Sequence, residues 1–272
     1  MSIEEAKLLL WQFRVVPNKV LGQNFMFDPN FFPLLSDYAS LSSEDVVVDA
    51  GAGFGFLTRY LSAKCKSVVA IEKDPRVALV LLKQLSGAGN VTVIEGDILK
   101  VALPEFNKVV AIPPYYLSSR LVLWLLEQRV ACAVLVLQRE FAERLVASVG
   151  SEDYGWLTVV AHHGAEVELF DSVPKEVFYP QPEVDSVILR LVPWKQAPFK
   201  VNDAAFFKRM VRWLFNQRNK KLSNALVLLL KETFKLSKED ARKRVSGMPF
   251  GERRVRELAP KDFGALANAL AE

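Results

Sequence analysis

Three acidic residues each close a short apolar run of this chain: Asp49, Glu72 and Asp97. Asp49 is followed by glycines, which let a chain turn sharply and let a ligand approach the backbone: Gly51, Gly53 and Gly55. A carboxylate at Glu72 can accept hydrogen bonds from both hydroxyls of a ribose. Asp97 can accept a hydrogen bond from the exocyclic amine of adenine, and Ile98 can pack on the base. This set of residues predicts a pocket for an adenine nucleoside.

Two classes of cofactor fit this pattern. A nicotinamide dinucleotide uses the same kind of glycine loop and the same ribose-binding acid. Asp49, however, would repel a pyrophosphate, whereas it would attract a cationic or amino-acid ligand. We therefore expect S-adenosylmethionine as the cofactor and keep the dinucleotide as the alternative. Taken singly, Glu72 or Asp97 could also be an ordinary polar residue at the end of a strand.

The surrounding pattern predicts the elements that position these residues. From residue 45 to about residue 192, short β-branched runs alternate with helical stretches, which is typical of a parallel sheet covered by helices. The predicted strands are 45–49, 67–72, 91–95, 108–112 and 133–138, followed by a hairpin pair at 164–170 and 186–191. A predicted helix begins over 58–63, a second spans 75–85, a third follows the fourth strand and runs through 126, and a fourth spans 140–146.

The sequence changes from mixed strand and helix patterns to helical patterns at a predicted domain boundary. The stretch 193–198 contains two prolines and no periodicity, which is typical of a linker. Beyond it we predict helices at 204–215, 221–233 and 238–245, and then a turn-rich end. The predicted fold class is therefore α/β, with a Rossmann-like sheet that would bind the S-adenosylmethionine in residues 1–194 and a small all-helical domain in residues 199–272.

The order of several motifs resembles one family over nearly the whole chain. The motifs are Leu21-Gly-Gln-Asn-Phe25, the glycine loop with Glu72, Gly96-Asp97-Ile98, Ala111-Ile-Pro-Pro-Tyr-Tyr116, 173–186 and 215–226. In this order and spacing they are similar to the ribosomal RNA adenine N6-dimethyltransferases, which are related to the erythromycin-resistance methylases. The resemblance implies that the substrate is a pair of adjacent adenines near the 3′ end of small-subunit rRNA.

The resemblance also implies which residues form the site. The cofactor-binding residues would be Gln23, Asn24, Phe25, Asp49, Gly51, Gly53, Glu72, Lys73, Asp97, Ile98 and Ile112. The catalytic residues would be Ile112, Pro114, Tyr115 and Phe178. In the family, an Asn side chain and the carbonyl of the motif proline accept hydrogen bonds from the target amine, and an aromatic ring stacks on the extruded base. Pro114 and Tyr115 match the proline and the ring, and Phe178 matches a second stacking ring.

Ile112 stands where the family carries the Asn, and it offers no side-chain acceptor. The N6 amine of adenine is a poor nucleophile because its lone pair is delocalised, so the acceptors must position it. Losing one such acceptor costs about 2.7–4 kcal/mol of transition-state stabilisation, roughly a hundred- to thousandfold in rate. Three hypotheses follow: an enzyme that works through the backbone carbonyls of Ile112 or Pro113, an enzyme that is slowed or adds fewer methyl groups, or a non-catalytic rRNA-binding assembly factor.

Basic residues on one predicted helix and its following turn predict an RNA-binding surface: Lys208, Arg209, Arg212, Arg218, Lys220 and Lys221. A second basic group lies in 242–256. Such clusters contact phosphates and contribute affinity with little sequence reading. For any single residue, a solvated helix face is the better explanation of the charge, whereas the two groups together favour RNA contact. A small-molecule methyltransferase is a further alternative, but a basic helical domain argues against it.

The composition is that of a globular protein: 272 residues, 51% of them hydrophobic, with a formal net charge of +4. We expect no metal site, because His162 and His163 have no third ligand at a useful spacing. Cys65 and Cys132 suggest neither a disulfide framework nor a zinc site. We also expect no targeting peptide, no membrane span, a cytoplasmic location, a monomer, and small-subunit rRNA or the immature small ribosomal subunit as the partner.

Overall fold

A computed structural model describes residues 3–18 and 21–271 of the protein. The chain divides into two compact units. The first runs to Ala142 and resumes over Val167–Pro193. The second comprises Glu143–Glu166 and the chain from Trp194 onward. No described helix is long and apolar enough to cross a lipid bilayer.

The strands, in chain order, are β1 Phe25–Met26, β2 Val46–Ala50, β3 Ser67–Glu72, β4 Val91–Glu95, β5 Lys108–Ala111, β6 Cys132–Gln138, β7 Ala165–Val173, β8 Phe178–Tyr179 and β9 Ser186–Pro193. Among the described residues, seven of them form one sheet in the order β4-β3-β2-β5-β6-β9-β7. The pairs from β4 to β6 are parallel, and β9 runs antiparallel to β6. Strands β1 and β8 form a separate antiparallel pair.

The apolar runs explain why this sheet is parallel and covered on both faces. Val47, Val48 and Ala50 of β2 are buried, and so is every residue of 132–137 in β6. A strand that alternated polar and apolar residues would leave one face in water. The predicted α/β fold class is confirmed, since the five parallel strands and the terminal pair β9 and β7 all form.

The first six helices, in chain order, are α1 Ile3–Gln12, α2 Phe31–Tyr38, α3 Phe56–Ser62, α4 Pro75–Gln84, α5 Ser118–Leu125 and α6 Arg139–Leu145. The start of α4 shows how the sequence sets a helix end. Asp74 accepts a hydrogen bond from the backbone N–H of Arg76 at 3.0 Å, and Pro75 occupies the first helical position. The helix therefore begins directly after β3.

The remaining helices are α7 Trp156–Gly164, α8 Ala204–Phe215, α9 Leu222–Phe234, α10 Lys238–Val245 and α11 Pro260–Ala271. Helices α8, α9 and α10 lie where the sequence predicts them. The expectation of a turn-rich end is wrong, because α11 forms there. Pro260 signals a break, yet proline is well tolerated at the first turn of a helix. Asp262 strengthens this start by accepting a hydrogen bond from the N–H of Ala259 at 3.0 Å.

The compact units divide the chain differently from the predicted boundary between residues 194 and 199. Residues 143–166, with α7, belong to the helical unit. Tyr154 shows why, because its hydroxyl donates to the carbonyl of Leu258 at 2.8 Å and its ring meets Phe215 edge-on. No local sequence pattern in 143–166 predicts contacts with residues about a hundred positions later in the chain.

We expect Tyr154→Phe to lower the free energy of unfolding by about 1–2 kcal/mol, because the buried carbonyl of Leu258 would lose its donor. Denaturant unfolding of the purified variant and of the wild type checks this. A variant that unfolds at the wild-type denaturant concentration would contradict this role of the hydroxyl.

Candidate active site

The carboxylate of Glu72 ends β3 and ties the glycine loop to the start of α4. Its Oε2 accepts a hydrogen bond from the N–H of Gly53 at 3.0 Å, and its Oε1 accepts from the N–H of Asp74 at 2.8 Å. Burial raises the pKa of Glu72, while these backbone donors act in the opposite direction. The predicted ribose-binding acid is thus held at a fixed position at the carboxyl end of the parallel sheet.

Asp49 in β2 is the most deeply buried acid of this site. It is 1% exposed, and Oδ2 accepts a hydrogen bond from the hydroxyl of Thr58 at 2.7 Å. Burial raises the pKa of Asp49 to about 7, and the nearby charge of Glu72 adds to the effect. A cation bound beside Asp49 would favour its ionised form.

Asp97 forms an ion pair with Lys73 at 3.2 Å, and its other oxygen accepts from the N–H of Leu99 at 3.1 Å. Burial acts to raise the pKa of Asp97, but these bonds hold it below the ordinary value. The ammonium of Lys73 also lies 5.9 Å from the ring centre of Tyr116. A carboxylate oxygen can accept more than one hydrogen bond, so Asp97 keeps capacity for an adenine amine. Ile98 beside it is buried.

The glycine loop is shaped by a close approach of the target-side loop. Gly51 has a φ of +83°, and a Cβ placed there would lie 2.7 Å from Cδ of Pro114. Gly53 has a φ of +57°, and its Cβ would lie 3.0 Å from the ring of Phe25. Both positions therefore require glycine for conformation and for space.

The N-terminal motif segment, residues 21–25, lies against this loop. Phe25 stacks against Phe54 with ring centres 4.3 Å apart. The side-chain amide of Gln23 makes two hydrogen bonds. Its Nε2 donates to Asp74 at 3.0 Å, and its Oε1 accepts from the N–H of Asn18 at 2.8 Å. Gln23 therefore anchors the segment, a role that the motif alone does not reveal.

Two small cavities, each of about 40 Å³, lie beneath this segment, and both are lined by Asn24, Phe25, Gly51, Gly53 and Ile112. A volume of this size holds a few water molecules. Tyr116 borders one of the two cavities as well. Both cavities therefore adjoin residues that are predicted to bind the cofactor.

The loop after β5 brings Ile112 to the edge of both cavities and Pro114 to the edge of one of them. The carbonyl of Pro114 accepts a hydrogen bond from the N–H of Leu117 at 2.9 Å, which begins a short 3₁₀ turn. A carbonyl has two lone pairs, so it can also accept from a target amine. The hydroxyl of Tyr115 shares a hydrogen bond of 2.7 Å with that of buried Ser186. Ser186 thus orients the predicted stacking ring.

Phe178 does not present its ring to solvent. It is 1% exposed and packs in a core cluster with Met26 and Val173. Stacking on a base, the role that the resemblance implies, would require the ring to leave this core. The ring beside it in β8, Tyr179, is half-buried, and Tyr116 is 44% exposed.

The predicted RNA-binding residues lie in the helical unit and divide by role. Arg218 donates to the carbonyls of Ser151 and Glu152, at 2.9 and 2.8 Å, so its guanidinium holds the unit together. Lys221 pairs with Glu252 at 2.7 Å. Exposed or partly exposed side chains remain on the surface of α8 and the following turn: Arg209, Arg212 and Lys220. Lys208 on the same helix is half-buried.

Comparison with known proteins decides the family. The model of the family described as "Ribosomal RNA adenine dimethylase" matches residues 16–252. The chain belongs to this family. The match confirms the predicted family and its class of enzyme, an rRNA adenine methyltransferase.

Relatives of this family from two domains of life cover almost the whole chain. A probable ribosomal RNA small subunit methyltransferase A of Methanosarcina mazei is 39% identical over 250 residues, which is 91% of each chain. The corresponding protein of a Geobacillus species is 40% identical over 265 residues, 93% of this chain and 91% of the relative. Among solved structures, a dimethyladenosine transferase from Plasmodium falciparum superposes with a TM-score of 0.76 at 28% identity, covering 88% of this chain and 94% of the other.

A second solved structure of an rRNA methyltransferase is similar as well. The 23S rRNA methyltransferase ErmE superposes with a TM-score of 0.65 at 28% identity, covering 92% of this chain and all of the other. The resemblance inferred from the motifs and the superposed folds therefore agree. The residue roles within the site remain predictions.

Asp49 generates a prediction about pH. If the cofactor is cationic, it binds the ionised form, which gains population as pH rises through about 7. The dissociation constant should therefore fall about tenfold between pH 6 and pH 8, as one titrating group dictates. Asp49→Asn should bind more weakly and show little pH dependence. Calorimetric titration with S-adenosylmethionine checks this, and a flat wild-type profile would contradict it.

Gly51 generates a prediction about the loop. We expect Gly51→Ala to lower the free energy of unfolding by about 1–3 kcal/mol, because of its φ of +83° and the contact with Pro114. Gly87→Ala is the matched control, since nothing lies within 4 Å of a Cβ there. Thermal unfolding of both variants checks this, and equal melting temperatures would argue against the close approach.

Proposed function

We propose that this protein transfers methyl groups from S-adenosylmethionine to the N6 atoms of adjacent adenosines near the 3′ end of small-subunit rRNA. The immature small ribosomal subunit in the cytoplasm would be the partner. The observation that carries this proposal is the meeting of three acids, the glycine loop and the Pro113-Pro114 loop at one edge of the sheet. The family match over residues 16–252 supports it.

The residues present fit S-adenosylmethionine better than a dinucleotide. Asp49, buried beside the glycine loop, would oppose a pyrophosphate and would pair with a cationic methionine moiety. Glu72 would accept hydrogen bonds from the ribose hydroxyls, and Asp97 from the adenine amine. When bound, the cofactor supplies an electrophilic methyl group.

The work of this chain in such a reaction is positioning. The carbonyl of Pro114 would accept one hydrogen of the target amine, and Tyr115, held by Ser186, would support the extruded base. The close contact of Pro114 with Gly51 keeps the target loop against the cofactor loop. A preorganised acceptor stabilises a developing charge without rearranging during the reaction.

Ile112 motivates a second candidate function. Its side chain lines both cavities at the position of the family's Asn, where it excludes water but accepts no hydrogen bond. A backbone carbonyl of Ile112 or Pro113 must then supply the second acceptor. If neither does, the protein would bind pre-rRNA as an assembly factor with little or no catalysis.

The decisive experiment is mass spectrometry of immature small-subunit RNA incubated with S-adenosylmethionine and either the wild type or Ile112→Asn. We expect N6-dimethyladenosine from the wild type, with the backbone acting as the second acceptor. Ile112→Val is the matched control, because it stays apolar and β-branched and should behave like the wild type.

Other outcomes separate the candidates. Monomethyl product from the wild type, converted to dimethyl product by Ile112→Asn, would make Ile112 a limit on the number of methyl groups added. No product from the wild type, despite binding of cofactor and RNA, would replace the enzyme by the assembly factor. A restored side-chain acceptor would raise the rate by about a hundred- to thousandfold if it is the missing group.

A further inference from the structure

A groove of about 680 Å³ lies between the end of α1 and Tyr179, within the first unit. Trp11 lines it with 79% of its surface exposed, and Val16 beside it is 73% exposed. The groove has the volume of a small-ligand site. Exposed apolar side chains that adjoin one another at a groove are typical of interaction sites.

The position of Trp11 is fixed by the way in which α1 ends. The N–H of Val15 donates to the carbonyl of Leu10 at 2.9 Å, and the N–H of Arg14 donates to that of Trp11 at 3.1 Å. This pair of bonds is the Schellman arrangement, and Leu10 and Val15 are buried together with Phe25 and Phe54. The exposed indole therefore stands on an anchored helix end, next to the segment that carries Phe25.

Arg14 occupies the position of this arrangement where glycine is preferred. Its φ is +51°, in the left-handed region that strains any residue with a Cβ. An arginine here accepts a backbone cost that glycine would avoid, and its exposed side chain lines the groove. Such strain at a surface position suggests that the side chain has a use.

The chemistry of the groove favours a polyanion with flat rings. Lys7 and Arg14 line it, and no acidic side chain is among its described lining residues. The ammonium of Lys7 lies 5.3 Å from the ring centre of Tyr179, so cation and aromatic faces alternate. Aromatic faces that stack bases, beside cations that contact phosphates, are the recurrent means of holding single-stranded nucleic acid.

We propose that this groove binds the single-stranded RNA that flanks the target adenosines, with a base stacked on Trp11 and phosphates beside Lys7 and Arg14. The proposal rests on the proposed function, which supplies the RNA. Tyr179 connects the groove to the candidate active site. It lines the groove, and it pairs in register with Phe25 across β1 and β8. The role is one of RNA binding and strand alignment.

The first test is the affinity for a fluorescently labelled single-stranded oligoadenylate. Trp11→Ala should weaken binding about 5- to 100-fold, the loss expected for one stacked base, whereas Trp11→Phe should keep most of the affinity. Leu8→Ala is the matched control. Leu8 is 57% exposed on the same helix but lies outside the groove, so its removal should leave the affinity unchanged.

Arg14→Gly gives a second test, because it should affect stability and RNA binding in opposite directions. Glycine suits the left-handed position, so the melting temperature should stay the same or rise. Binding of the oligoadenylate should nevertheless weaken, and the slope of log affinity against log salt should become shallower by about 1. A variant that binds with the wild-type salt slope would exclude Arg14 from phosphate contact.

Methylation assays on immature small-subunit RNA separate this proposal from the proposed function. If the wild type forms product and Trp11→Ala raises KM for the RNA with little change in kcat, both proposals hold. If Trp11→Ala retains wild-type affinity and KM, the groove is not an RNA site, although the enzyme stands. If the wild type forms no product but Trp11 still governs RNA affinity, only the enzymatic proposal falls. A change in self-association without a change in RNA affinity would overturn the groove proposal and indicate a second copy as its occupant.

Discussion

The hydrogen bonds that Glu72 accepts from two backbone segments are the constraint on which the site depends. A carboxylate buried at the end of β3 must be hydrogen-bonded, because an unpartnered buried charge is strongly unfavourable. It meets this requirement through the N–H groups of Gly53 and Asp74. The glycine loop and the start of α4 are therefore held together by the same group that is predicted to bind a ribose.

The hydrogen bonds of Glu72 connect to further contacts, at the start of α4 and at the glycine loop. Asp74 caps α4 and accepts from the amide of Gln23, which ties the N-terminal segment to the sheet. On the other side, the glycine loop leaves just enough room for Pro114. The glycine loop and the loop that carries Pro114 are thus parts of one packed layer. A change of position in one would be transmitted to the other, because close-packed interiors deform little.

Ile112 is the one residue in this layer whose type does not serve the reaction of the family. It is apolar, lines both cavities and packs against the core cluster of the sheet. Under the proposed function, the departure bears on the number and strength of acceptors at the target amine, while the architecture around it is that of the family.

Much of this architecture follows from the sequence. The continuous apolar runs of β2 to β6 determine a parallel sheet, and strand-end acids with glycines predict a nucleoside pocket at its carboxyl edge. Local patterns suffice there because each strand carries its own signal. The bounds of α8 and α10 follow for the same reason, since their capping residues, Asp203 and Ser237, stand directly before them.

Only the tertiary structure decided which side chains are already engaged. The sequence could not tell that Gln23 serves Asp74, that Arg218 binds carbonyls of 151–152, or that Phe178 is buried in the core. It also could not assign residues 143–166 to the helical unit or show that Trp11 stands exposed beside Arg14. Residue type and spacing determine what a side chain is able to do. Contacts between residues far apart in the chain determine which of those roles a side chain takes. Each donor, acceptor and ring face can engage few partners at once, so a side chain held by one contact is not available for another.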